Sequence, residues 1–173
     1  FIMNGKQTYT KIYIGKSKIH NKGIFASQDI KKGEIIAFIK GKFVNFVVKN
    51  KRDARHGPDW FGICHNTWID PVETFCYLNH SCDPNAGIKG KVEMIALKNI
   101  KPKEEITIDY SITEEDTFWT LHKQCNCGSK KCRKIIKSIQ FLPKKAFNSY
   151  LPYIPKYFQK AYIKYHNDKD HGK

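Results

Sequence analysis

The chain has 173 residues, 40% of them hydrophobic and 13% aromatic, enough for one domain with a continuous core. That composition excludes a disordered tail as the main reading. No apolar run approaches the roughly 20 residues of a membrane-crossing helix and no signal-peptide pattern opens the chain. Phe1 in place of methionine points to a fragment with further sequence upstream. The formal charge of +15 is unevenly spread: residues 1–60 hold 13 Lys/Arg against 4 Asp/Glu, residues 61–120 hold 5 against 10, and residues 121–173 hold 13 against 2. An acidic middle between basic flanks would draw a cationic peptide inward, while the flanks either touch a polyanion or simply solvate the surface.

Residues 8–48 alternate short β-type runs with turn signals. Thr10 to Ile14 is strand-like, Asn21-Lys22-Gly23 is a turn, and Ile24-Phe25-Ala26 resumes the extended run. Lys31-Lys32-Gly33 is a second turn before a strand from Glu34 to Ile39, and residues 49–59 are polar loop. Ile63 to Ile69 reads as strand material ended by Asp70-Pro71. Pro84 and Gly87 break any longer element near the middle, and Val92 to Leu97 is a buried strand. Asn99 to Lys103 turns into Ile106-Thr107-Ile108. Strands this short and evenly spaced favour a mainly β architecture. From Pro143 to His166 aromatic residues recur among lysines, with Pro152 and Pro155 interrupting, which predicts two short helices packing an aromatic face on the body and a frayed tail from Asn167. The same tyrosine-lysine texture also suits nucleic acid, through phosphate contact and stacking.

Three of the six cysteines, Cys125, Cys127 and Cys132, fall within eight positions. That crowding reads as metal binding in a reducing, intracellular setting rather than as spread disulfides. Structural zinc takes four ligands in a tetrahedron, so three thiolates leave one position open. Chance clustering or a redox role is the competing account, and Cys64 and Cys76 read as plain core residues.

Three runs in order carry the chemistry: Asn79-His80-Ser81-Cys82-Asp83-Pro84-Asn85, then Glu105-Ile106-Thr107-Ile108-Asp109-Tyr110, then Cys125-Asn126-Cys127 with Cys132. Together they resemble the signature of the SET-domain protein lysine methyltransferases with an attached post-SET zinc segment. The resemblance covers residues 10–137. It implies a mainly β SET fold of small sheets with a pseudoknot over 8–115, a zinc segment over 121–137, and a helical appendage over 138–173. The implied activity is methyl transfer from S-adenosylmethionine to a lysine of a basic protein, a histone tail being the family's commonest substrate. The implied setting is intracellular: nucleus, cytoplasm, or a host cell if the source is bacterial or viral.

By resemblance, Asn79 and His80 bind S-adenosylmethionine, partly through backbone groups, and Lys22-Gly23-Ile24 forms the N-terminal cofactor turn. Asn21 stands where the family often has another glycine; asparagine tolerates left-handed backbone, so the turn survives. Cys82 is the candidate fourth zinc ligand, which would clamp the C-terminal segment onto the catalytic motif. Tyr110 matches the tyrosine that closes the active site and also faces the cofactor. Tyr77 matches a pocket aromatic, and Ile108 a channel position where a tyrosine would restrict the number of methyl groups; isoleucine implies a roomy channel. Cys76 replaces an arginine common in the family, and Trp68 reads as core. Two other classes compete: a non-catalytic SET-like module that holds a basic peptide, and a zinc-ribbon nucleic-acid binder. A methyltransferase acting on a non-histone protein is a further variant.

Overall fold

The computed structural model describes residues 9–170 apart from 56 and 58. Phe1, residue 8, residues 171–173 and two positions of the 49–59 loop therefore lie outside the described residues. The strands are short because a turn residue interrupts the chain every few positions. β1 (Ile12–Lys16) and β2 (Lys22–Ala26) pair antiparallel, with Ile12 opposite Ala26 and Lys16 opposite Lys22. Between them Asn21 takes φ 41° and its carbonyl accepts the Ser17 N–H at 3.0 Å, so asparagine does serve as the left-handed residue of this turn.

Three sheets follow from these pairings. β10 (Glu105–Ile108) adds to β2 antiparallel, and the two-residue β7 (Asn79–His80) adds to β10 in parallel, giving the order β1-β2-β10-β7. A second sheet orders β3 (Ile35–Phe38), β9 (Glu93–Ala96) and β8 (Ala86–Lys89) as β3-β9-β8. The third orders β4 (Gly41–Asn45), β6 (Thr67–Pro71) and β5 (Phe61–Cys64) as β4-β6-β5.

The stretch from Ile63 to Ile69 is a hairpin rather than one strand, because Asn66 at φ 53° reverses the chain between β5 and β6. Gly87 does not break the chain but lies inside β8, where a Cβ would come within 2.6 Å of the Tyr153 carbonyl. The next residue, Ile88, donates its N–H to that carbonyl at 2.8 Å, so residue 153 covers the open edge of the sheet.

The C-terminal unit is two helices, α1 (Lys144–Tyr150) and α2 (Lys156–Asp170). α2 continues through Asn167 to Asp170, where a frayed tail was expected; in its last turn Lys169 Nζ lies 4.5 Å from the Tyr165 ring centroid, at the end where a cation also suits the helix dipole. Phe147, Tyr150, Ile154, Phe158 and Tyr162 share one buried cluster with Ile24, Phe75, Leu78, Ile88, Met94 and Ile106 of the β body. Phe158 is 1% exposed, so truncating it to alanine would cost about 3–5 kcal/mol. No helix of the described residues is long and apolar enough to cross a membrane.

Candidate active site

Asn79 and His80 are fixed by the parallel pairing of β7 with Thr107 and Ile108, and the Ser81 N–H donates to the Ile108 carbonyl at 2.9 Å. The Asn79 amide donates from Nδ2 to the Lys22 carbonyl at 2.8 Å and to Glu105 Oε1 at 2.8 Å. Its Oδ1 has no donor among the described residues. Glycine at position 23 leaves room for the Glu105 carboxylate, which occupies the space a Cβ would take and would have to shift for any larger residue. Lys22 thus contributes a carbonyl and Gly23 an absent side chain. Ile24 is wholly buried in the core, in the strand between β1 and β10. Asn85 substitutes for a strand partner beside β10: its Oδ1 accepts the Thr107 N–H at 2.9 Å and its Nδ2 donates to the Glu105 carbonyl at 2.8 Å.

His80 is 4% exposed, and burial pushes its pKa down to about 4 against the opposing pull of Asp109. It is neutral at pH 7, so its 3.7 Å approach to Asp109 is not an ion pair. Nδ1 accepts the Tyr110 N–H at 3.1 Å, which leaves the ring proton on Nε2, 3.3 Å from Cys82 Sγ. Asp109 is completely buried. It accepts from Arg133 Nη2 at 2.7 Å, the Ser111 N–H at 3.1 Å and the Tyr150 hydroxyl at 3.1 Å.

Tyr110 follows Asp109 on a 3-10 turn (Tyr110–Thr113), and its hydroxyl donates to the Leu78 carbonyl at 2.8 Å. Burial, chiefly, holds that hydroxyl far above the usual phenol range, so it stays protonated. The ring borders a cavity whose other walls include Phe61, Phe75, Trp60, Trp119, Leu78 and Cys76, with Asp59 and Glu114 contributing carboxyl groups. Burial pushes Glu114 up to about 7 although it accepts the N–H groups of Glu115 and Asp116.

Two residues expected to line a channel do not border this cavity. Ile108 is fully buried in the main core, and Tyr77 carries the Lys22 ammonium 4.9 Å above its ring; neither lines this cavity. Cys76, expected in the core, is half-buried and does line it, while Trp68 is core at 3% exposure. The aromatic walls Phe61, Trp60 and Trp119 were not singled out from the sequence. The acidic stretch around them was the available signal.

Sγ atoms of Cys82, Cys125, Cys127 and Cys132 all lie within 4.8 Å of one another, and Cys82 and Cys125 are 3.9 Å apart. A tetrahedron with metal–sulfur bonds of about 2.3 Å has sulfur–sulfur edges of about 3.8 Å, so the quartet fits a zinc ion. The electrostatics agree. Burial raises the Cys82 and Cys125 thiols, whereas Cys127, despite its burial, is lowered to about 7 by the backbone N–H groups of Cys82 and Ser129. Four sulfurs this close become thiolates together only around a cation. Trp119 packs against the small cluster that Cys82 and Cys125 form with Ile136, and it also walls the cavity.

A SET-domain family model matches residues 21–111. The trithorax histone-lysine N-methyltransferase of Drosophila virilis is 33% identical over 148 residues, covering 76% of this chain and 4% of that protein. The human histone-lysine N-methyltransferase SETD1B is 31% identical over 139 residues, covering 71% and 7%. This chain thus spans only a small part of the curated relatives it matches. Among solved structures, KRYPTONITE in complex with mCHH DNA, H3(1-15) peptide and SAH aligns with a TM-score of 0.57 at 23% identity, over 72% of this chain and 29% of that one. A ctPRC2 structure bound to S-adenosylmethionine aligns at 0.51 and 20% identity, over 63% and 16%. These two likenesses support the fold alone. The sequence match coincides with the sheet that holds Asn79, His80 and Tyr110 together: the chain belongs to the SET-domain family.

Proposed function

We propose that this chain is an S-adenosylmethionine-dependent protein lysine N-methyltransferase acting on a basic protein tail, histones being the leading substrate. The observation that carries the reading is the step from Leu78 to Asn79. Leu78 walls the cavity and accepts the Tyr110 hydroxyl, while the next two residues form the polar motif on the other side. Cofactor and lysine would therefore meet across Tyr110.

S-adenosylmethionine supplies an electrophilic methyl group on a sulfonium. Asn79 Oδ1 and the backbone around Lys22-Gly23 receive its amino-acid end, and His80 contributes backbone groups beside Tyr110. The target amine enters the aromatic cavity, where exclusion of water favours its neutral, nucleophilic form. Having lost its proton to solvent, the amine would attack the methyl carbon with its lone pair as the carbon–sulfur bond breaks and the bonding pair returns to sulfur. Tyr110 orients the reacting groups at about 3 Å through its fixed hydroxyl. Phe61 and Phe75 carry no hydroxyl, which leaves room for more than one methyl group.

Cys82, Cys125, Cys127 and Cys132 would hold a zinc ion, which would steady the cluster that Trp119 packs against, and their thiolates suit a reducing intracellular setting. A second contact is proposed for the C-terminal unit. Exposed Lys156, Lys160 and Lys164 recur every four residues along α2, a stripe suited to nucleic-acid phosphates.

The test is transfer of labelled methyl from S-adenosylmethionine to core histones. Wild type should label them, and Tyr110→Phe should lose at least about 100-fold in rate while still binding cofactor. Cofactor binding with no transfer to histones or to whole-cell extract would instead mark a non-catalytic module.

A further inference from the structure

The C-terminal helices lie outside the matched SET region, yet one of their side chains reaches its centre. Tyr150, the last residue of α1, is 5% exposed. Its hydroxyl stands 3.1 Å from Asp109 Oδ2 and 3.3 Å from the Cys82 carbonyl. The other donors to Asp109, Arg133 Nη2 and the Ser111 N–H, both reach Oδ1. Among the described residues, Tyr150 is therefore the sole donor to Oδ2. A carboxylate oxygen can only accept, so the phenol is the donor.

Asp109 closes a ring of contacts. Arg133 reaches it through the guanidinium and donates its backbone N–H to Cys82 Sγ at 3.3 Å. Cys82 Sγ meets His80 Nε2, and His80 Nδ1 accepts the N–H of Tyr110, the neighbour of Asp109. The motif that faces the cofactor, the thiolate quartet and the closing tyrosine thus share one buried carboxylate.

We infer that Tyr150 is a positioning residue: by holding Asp109 Oδ2 it sets the Asn79–Cys82 segment and the cysteine segment in register, so the C-terminal helices form part of the catalytic architecture rather than a separate appendage. Without that hydroxyl, a wholly buried carboxylate oxygen has no donor. Asp109 must then turn toward Arg133 and loosen both segments.

The consequence for cofactor affinity rests on the function proposed above, so the experiment separates the two. Amide hydrogen exchange is measured on wild type, Tyr150→Phe, and Tyr162→Phe, a control that removes a hydroxyl from the same buried cluster. Tyr150→Phe should speed exchange in residues 79–85 and 125–133 by about tenfold and leave the β4-β6-β5 sheet unchanged. Tyr162→Phe should leave exchange unchanged in all of these regions. Calorimetry with S-adenosylmethionine then follows. Wild type should bind, and Tyr150→Phe should bind about five- to tenfold more weakly, with peptide KM unchanged and kcat reduced.

Unchanged exchange in both segments, or a uniform rise across the chain, overturns the positioning role. Wild type that fails to bind cofactor overturns the proposed function, while the exchange result still decides the role of Tyr150. Wild type that binds as tightly as Tyr150→Phe, within twofold, overturns the inference alone.

Discussion

Replacing Arg133 by methionine tests the ion pair at the centre of the site. The Arg133 side chain is 17% exposed and Asp109 is fully buried, so the pair is largely shielded from water. Removing the guanidinium leaves a buried carboxylate with two hydrogen bonds, from the Ser111 N–H and the Tyr150 hydroxyl. Breaking a buried pair from one side costs about 3–5 kcal/mol, and those two remaining donors argue for the lower end, about 3 kcal/mol. At this chain length that is a fall of about 6–12 °C in Tm. The double variant Asp109→Asn with Arg133→Met removes both charges and should lose only about 1 kcal/mol. It is cheap because removing both charges together leaves no unpaired ion and spares the desolvation cost of burying them. Urea unfolding at constant slope gives both numbers. A single variant within 0.5 kcal/mol of wild type, on the scale of about 0–1 kcal/mol seen for exposed pairs, would refute the burial argument. A double variant less stable than the sum of its singles would refute it as well.

Three further outcomes follow from the geometry. Glu114 is raised in the folded chain from its ordinary 4.5 to about 7, so the folded state binds more protons between those values. Its contribution to stability is therefore complete below about 4.5 and is lost as pH rises through 7, by up to about 3 kcal/mol; Glu114→Gln should flatten the fall in urea midpoint across that window, and an unchanged slope would count against the burial of this group. Stripping metal with a chelator should lower Tm by at least about 4 °C, and Cys82→Ser should lose zinc to a chelator concentration that leaves Cys76→Ser loaded; equal retention by both would remove Cys82 from the ligand set. If the α2 stripe meets phosphates, Lys160→Gln with Lys164→Gln should reduce the slope of log affinity for DNA against log salt by about 2, without changing methyl transfer to a free peptide; an unaltered slope would remove the stripe from any nucleic-acid contact.

What could be read from the sequence was whatever depends on residue type at short range. Asn21 announces a left-handed turn because its side chain tolerates that backbone, and Cys125, Cys127 and Cys132 announce a metal because three thiols within one loop have little other use. The family pattern added Cys82, and its sulfur does stand with the other three. The cavity was illegible for the opposite reason. Its walls come from separate segments, at Trp60-Phe61, Phe75-Cys76, Tyr110, Glu114 and Trp119, and no local spacing records that they converge. Ile108 was named from its position in the family pattern, and in the fold it lies in β10, where Ile106, Thr107 and Ile108 are all buried. The hairpin at Asn66 was missed because the apolar residues on both sides of His65-Asn66 look like one run.

The C-terminal helices extend this point from geometry to energetics. Their aromatic residues were read as a face that packs on the body, and the shared core answers that reading: Phe158 lies where Gly62 has no side chain to block it, and the Tyr153 carbonyl lies where Gly87 has none. A hydrophobic face explains why the helices stay, but not why Tyr150 is a tyrosine. Phenylalanine would fill the same volume, and burying a hydroxyl costs about 1–3 kcal/mol unless a partner compensates. The compensation is the carboxylate of Asp109, itself buried and in need of a donor. Each polar group helps satisfy the other, Asp109 drawing also on Arg133 and Ser111 and the hydroxyl lying also near the Cys82 carbonyl, and both adjoin the residues proposed to carry methyl transfer. A core built for stability alone would have neither, so their pairing is the strongest energetic sign that these helices and the SET motifs form one working unit.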